Sequence, residues 1–201
     1  MGVEEVDVYK TIIDPSEGLY KEKGSKFIAR VFHVESEEEV KDSLNQVKKQ
    51  YYDARHHCYA YRLNPENELF RSNDDGEPSG TAGKPILNQI LSYELYDVLV
   101  VVVRYFGGTK LGVSGLIRAY KSATVDALGQ AEIIHKTITR NVEIGFEYVL
   151  LNDVMRIIKE EDLIVLKQQF DNTCFMILEV QKNREEIIKS KFDKIQGLVI
   201  N

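Results

Sequence analysis

Val98-Leu99-Val100-Val101-Val102-Val103-Arg104-Tyr105-Phe106-Gly107-Gly108-Thr109-Lys110-Leu111-Gly112-Val113-Ser114-Gly115 is the stretch whose reading settles the fold. Its first six residues are β-branched or aliphatic, too few to span a membrane and dense enough for a strand covered on both faces. They predict the central strand of a sheet. Glycines 107, 108, 112 and 115 then mark a strand tip turning into a helix, where the backbone needs positive φ or close approach. Leu116, Tyr120, Ala123 and Ala127 recur at helical spacing, flanked by Ile117, Thr124 and Leu128, and predict an amphipathic helix starting near Ser114.

Between Asp97 and Asp126 there is no acidic residue, while Arg104, Lys110, Arg118 and Lys121 give this interval a formal charge of +4 inside a chain of net charge -6. Free amides at a helix N-terminus, the helix dipole and nearby Lys or Arg together favour a phosphate or another anion. The plain alternative is a tight connection whose glycines solve a packing problem. Known phosphate motifs do not fit: Gly107-Gly108-Thr109-Lys110 lacks the upstream glycine of a P-loop, and Ser25 separates Gly24 from Lys26. Gly112-Val113-Ser114-Gly115 places its second glycine one residue too early for a nucleophile elbow.

The chain has 201 residues, 43% hydrophobic and 29% charged, as ordinary globular proteins do. No apolar run approaches a membrane span and no charged-then-apolar leader opens the sequence, so a cytoplasmic location without membrane association is expected. Cys58 and Cys174 are too few and too distant for a disulfide framework. The acidic balance argues against coating nucleic acid by bulk charge, so any phosphate binding must be local.

In order, Val6 to Ile13 reads as a short strand or arm. Leu19 to Val34 reads as strand-like, bent or bulged at Gly24. Ser36 with Glu39 is a capping box for a helix to about Tyr52, with Val40, Leu44, Val47 and Tyr51 as its apolar stripe. Ala54 to Leu63 is a strand on which His56 and Cys58 share one face and His57 and Tyr59 the other. His and Cys at this spacing suit metal ligation or a thiol nucleophile, but His33, His135 and Cys174 follow no ligand spacing, so a partly buried strand is the simpler reading. Leu69 to Arg71 is a short strand.

Ser72 to Pro85 is the longest aperiodic stretch. Asp74, Asp75 and Glu77 there invite a cation, yet Ala82 stands where an EF-hand needs its last Glu, and a solvated acidic turn is the simpler expectation. Pro85 suits the first turn of a helix to about Tyr93–Tyr96. After Gln130 the pattern restarts. A strand over Thr137–Ile144 leads to a helix to about Glu161, then to a hairpin of Ile164–Phe170 and Cys174–Val180 turning at Asp171-Asn172. A helix capped by Asn183 and a last strand Leu198–Ile200 complete βαββαβ, the order of a ferredoxin-like domain.

Three segments together resemble the signature of the Impact/YigZ family: Ala54-Arg55-His56-His57-Cys58-Tyr59-Ala60, then Asp74 to Gly83 with Pro85-Ile86, then Arg104 to Gly112 continuing through Gly115-Leu116-Ile117-Arg118-Ala119-Tyr120. The resemblance covers nearly the whole chain. It implies an α+β fold of two domains. Residues 1–134 would form a domain similar to the second domain of ribosomal protein S five and the fourth domain of elongation factor G. Residues 135–201 would form a ferredoxin-like domain similar to that factor's last one. Eukaryotic Impact proteins regulate translation by competing for the activator of a kinase that phosphorylates initiation factor two. They carry an RWD domain not found among these residues, so that partner is not carried over.

For the bacterial-type arrangement the resemblance implies a non-enzymatic nucleic-acid or ribosome binder in the regulation of translation, without cofactor or metal. RNA or the ribosome, and a protein of the translation machinery, are the expected partners, and the protein is expected to be a monomer or weak dimer. The expected contacts are Arg104, Tyr105, Gly107, Gly108, Thr109, Lys110, Gly112, Ser114, Arg118 and Lys121, with Tyr105 or Phe106 stacking on a base. The alternative is an enzyme acting on a phosphorylated or anionic small molecule at the glycine turn. His56, His57, Asp74, Asp75 and Glu77 would then form a second site supplying acid-base or metal chemistry.

Overall fold

The computed structural model describes residues 7–171 and 173–200; Val6 and Asn172, which belong to the expected arm and turn, lie outside them. In chain order the strands and helices are β1 (Val8–Ile12), β2 (Ser16–Glu22), β3 (Ser25–His33), α1 (Glu37–Gln50), β4 (His56–Leu63), β5 (Leu69–Asn73), α2 (Gly83–Ser92), β6 (Val98–Tyr105) and α3 (Gly112–Gly129). They continue with β7 (Ile133–Thr137), β8 (Thr139–Glu147), α4 (Leu151–Glu160), β9 (Ile164–Gln169), β10 (Thr173–Gln181), α5 (Glu185–Phe192) and β11 (Val199–Ile200). The fold is α+β, with two compact units, one spanning Tyr9–Lys136 and the other running from Thr137 to Ile200 together with Asp7 and Val8.

In the first unit, β6 is the middle of a five-stranded antiparallel sheet ordered β2-β3-β6-β4-β5. The valine run works as its composition predicts, and Val98 through Val103 are all fully buried. Val98, Val100 and Val102 pack under α2 and α3 with Phe27, Ala60, Ile86 and Tyr120, while Leu99, Val101 and Val103 pack under α1 with Val40, Val47 and Tyr61. Alternation thus splits one apolar run between two cores. Strand β1 pairs with β7 in a separate two-stranded ribbon.

Leu19 to Val34 is two strands rather than one bent strand. Lys23 (φ 47°) and Gly24 (φ 79°) make a two-residue turn closed by the Glu22–Ser25 pair. Positive φ at both central positions is the type I′ geometry that matches strand twist. Half of the capping box forms as expected, with Ser36 Oγ accepting from the Glu39 N–H, while the Glu39 carboxylate accepts from the N–H of Glu35, one residue ahead of the cap, rather than from that of Ser36. Helix α2 starts two residues before Pro85, at Gly83, because an acidic side chain from the preceding loop caps it.

The second unit has strand order β11-β8-β10-β9, all antiparallel, with α4 and α5 contributing Val154, Ile157, Ile158, Ile188 and Phe192 to a core with Val142, Ile144, Phe146, Met176 and Leu178. In order of appearance the strands sit 4-1-3-2, the ferredoxin-like arrangement. Asn183 does not cap α5. A 3-10 turn over Lys182–Arg184 precedes it, and Arg184 occupies the cap position.

Candidate nucleic-acid interface at the glycine turn

The tip of β6 divides the expected site residues into a buried set and an open set. Arg104 continues the Val98–Val100–Val102 face of β6, so its side chain turns in under α3, where it is 92% buried. Its Nη1 donates to Glu77 Oε1 at 2.5 Å, and the Tyr120 hydroxyl donates to the same oxygen at 2.9 Å. The guanidinium also lies 5.5 Å from the Phe27 ring centre and 5.6 Å from that of Phe106. Its Nε is buried and has no hydrogen-bond partner among the described residues. Arg104 is therefore committed to a buried ion pair, whose partners each depend on the other to offset desolvation.

The Asp74–Gly83 segment is not a solvated acidic turn: two of its three carboxylates face inward. Asp74 Oδ1 accepts from the Ala82 and Gly83 N–H groups at 2.9 and 2.8 Å, and Oδ2 from Gly80 N–H at 2.8 Å, so one side chain caps the first turn of α2. Burial pushes the Asp74 carboxyl up, but the three amides outweigh it and hold the group below the usual carboxylate range. Glu77 is the Arg104 partner. Asp75 Oδ2 accepts from the His57 N–H at 2.6 Å, while the Asp75 carbonyl lies 2.8 Å from His56 Nδ1. Because a carbonyl only accepts, that Nδ1 carries the proton, as does His57 Nε2 against the Tyr51 carbonyl at 3.1 Å. Cys58, next in β4, sits 2.9 Å from the Asp74 carbonyl and 3.3 Å from the Tyr120 hydroxyl, and burial pushes its thiol up to about 12.

The glycines also divide. A Cβ on Gly107 would lie 1.9 Å from the carbonyl carbon of Gly24 and 2.1 Å from Ser25 N, so here two backbones touch. The Gly107 N–H is donated to Ser25 Oγ at 3.1 Å. Gly108 (φ 85°) and Gly112 (φ 72°) have open space where a Cβ would stand, and both need a left-handed backbone. Gly112 opens α3, whose N-terminus has no side-chain cap and no acid in its first turn.

Thr109, Lys110, Ser114 and Lys121 are exposed. Arg118 is exposed too and pairs with Glu22. The +4 island of the sequence thus presents Lys110 and Lys121 as cations without an acidic partner among the described residues. Tyr105 donates its hydroxyl to Asp53 at 2.6 Å, which together with burial pushes it up to about 12.

Two recesses flank Phe106, a residue 57% exposed. One, of about 400 Å³, is lined by Pro78, Phe106, Lys110, Leu111, Val113 and Leu116, with the Glu77–Arg104 pair and Gly112. The other, of about 360 Å³, is lined by Asp53 to His56 and Arg104 to Phe106. Of the second candidate set, Glu77 therefore shares a recess with Lys110 and Gly112, and His56 lies in the adjoining one. His57, Asp74 and Asp75 are spent on the loop itself. No sequence signal marks Glu77 as the partner of Arg104 and Tyr120, because the contacts join distant positions. Pro78, Leu111 and Val113 likewise gain their role from tertiary structure alone.

The sequence profile of the Impact N-terminal domain matches residues 23–128. The Impact family member YvyE of Bacillus subtilis is 34% identical over 157 residues, 78% of this chain and 72% of the relative. The member YigZ of Escherichia coli is 33% identical over 160 residues, 79% of this chain and 78% of that one. A crystal structure of a hypothetical protein, 27% identical, superposes with a TM-score of 0.77 over 96% of each chain.

Proposed function

The chain belongs to the Impact family, and from that premise we propose that it is a non-enzymatic module that binds RNA or the ribosome in the regulation of translation. Its contact surface is the open half of the glycine turn. The observation that carries this reading is the N-terminus of α3: uncapped, free of acids in its first turn, preceded by Gly108 and Lys110 and opened by Gly112, with open space where a Cβ on either left-handed glycine would stand. The first amides of a helix have no intrahelical acceptor, and a phosphate oxygen supplies one.

Lys110 and Lys121 add charge. Arg118, itself exposed, exchanges its pairing with Glu22 for a phosphate. Phe106 offers a ring on which a base stacks, worth about 1–3 kcal/mol. Arg104 and Gly107 act one step back, by holding the turn in shape.

Co-sedimentation with ribosomes and with free RNA across a salt series tests the proposal. Binding should weaken with salt, and Lys110→Ala with Arg118→Ala should lower the logarithmic salt slope by about 1.4 on single-stranded RNA while the protein stays folded. Salt-insensitive binding, or none by the folded wild type, refutes it.

A further inference from the structure

A second groove of about 390 Å³ lies on the other side of the five-stranded sheet, between α1 and the β4–β5 hairpin. Tyr59 and Tyr61 alternate onto the α1 face of β4, and Tyr61 stands directly opposite Arg71 of β5. Lys41, Asn45 and Lys48 project from α1 at spacings of four and three, so they form one exposed row along the groove. Lys41, Lys48 and Arg71 form no ion pair with any described residue, although the chain as a whole is acidic. The single carboxylate in the lining, Glu37, accepts the Tyr61 hydroxyl. Tyr59 is half-buried, its ring packed on the core at one side and lining the groove at the other.

We propose that this groove is a second nucleic-acid contact, in which one base of a single-stranded RNA lies against Tyr59 and its flanking phosphates meet Lys41, Lys48 and Arg71. Three cations around an aromatic ring on a sheet match the two halves of a nucleotide: a flat π surface that stacks on any base, and a backbone charge that needs neutralising. The volume lies within the range of about 300–1,000 Å³ typical of small-ligand sites. An acidic peptide would use the cations but would leave the ring without a partner. The inference rests on the reading of this protein as an RNA binder, but not on the glycine turn. Arg104 and the Val102 side chain project to the α2–α3 face of β6, whereas Tyr59 and Tyr61 project to the α1 face.

The test is fluorescence anisotropy of a labelled single-stranded RNA with the full chain, across salt, for wild type, Lys41→Ala/Lys48→Ala/Arg71→Ala, and Lys110→Ala/Arg118→Ala, with circular dichroism as the fold control. The groove variant should lower the logarithmic salt slope by about 2. A probe carrying 2-aminopurine should be quenched by wild type and less so by Tyr59→Leu, which keeps the apolar contact but loses the stacking ring.

An unchanged slope in the groove variant with loss in the glycine-turn variant overturns this inference and leaves the first site standing. Loss in the groove variant alone supports the groove and overturns the glycine-turn site. Polyglutamate displacing the RNA mole for mole, with no effect of Tyr59→Leu, overturns the assignment of a nucleotide. Wild-type protein that binds no RNA overturns both sites.

Discussion

Replacing Glu77 by Ala leaves the Arg104 guanidinium, 92% buried, with no carboxylate to offset its desolvation. It also strips the Tyr120 hydroxyl of its acceptor at 2.9 Å. Removing one partner of a buried pair costs about 3–5 kcal/mol, because the surviving charge stays where water cannot reach it. A domain's whole stability is about 5–15 kcal/mol, so the first unit should be left close to its limit.

Urea denaturation at pH 7 and 25 °C, followed by circular dichroism, reads the loss as a fall in midpoint at constant slope. The companion variant Glu77→Ala/Arg104→Met removes the stranded charge. It should recover about 1–4 kcal/mol of the deficit, since apolar replacements of buried pairs are often neutral or stabilising. A deficit below about 1 kcal/mol for Glu77→Ala, typical of a surface pair, would refute the claim that this ion pair is desolvated.

Asp74→Ala should lose the cap of α2 at a cost of about 1–2 kcal/mol. The wild-type carboxyl is held below its unfolded value, so its contribution is fully present above about pH 4 and fades as pH falls through the lower folded value. Stability curves of wild type and variant should therefore converge in acid, and a constant gap down to pH 2 would contradict the cap. Gly107→Ala should destabilise by about 3 kcal/mol or more, the upper end of the cost of overpacking, because the clash is with backbone. Gly108→Ala should cost only about 1–2 kcal/mol, the strain of a left-handed alanine; equal melting temperatures for the two would refute the division of the turn.

Local pattern was enough for the parts of the fold that rest on periodicity. The run Val98–Val103 gave away the central strand because a stretch so short and so rich in β-branched valine suits a doubly covered strand better than a buried helix. Alternation at Cys174, Met176, Leu178 and Val180 similarly exposed the ferredoxin-like unit. The Lys23-Gly24 turn was less legible, since Lys at positive φ is uncommon and its composition suggests no hairpin.

The site was legible only in part, for a physical reason: a charge is counted the same whether it faces water or a core. Arg104 and Lys110 contribute equally to the positive island, yet one is enclosed beside Glu77 and the other is exposed. Gly107 and Gly108 are adjacent and chemically identical, and only the position of Gly24 separates their roles. Asp74 and Asp75 likewise differ by what the chain brings to them, and no spacing rule carries that.

The contact between Gly107 and the Gly24-Ser25 turn closes a loop of 82 residues through a single N–H to Ser25 Oγ. Loop closure of that length is entropically costly before the intervening strands have paired. The glycine turn should therefore form late, once β3 has paired with β6. During synthesis Gly24 emerges long before Gly107, and the amides proposed to meet phosphate would acquire their orientation only when almost the whole first unit is in place. On the proposed reading, binding competence is in this way coupled to the completion of the fold.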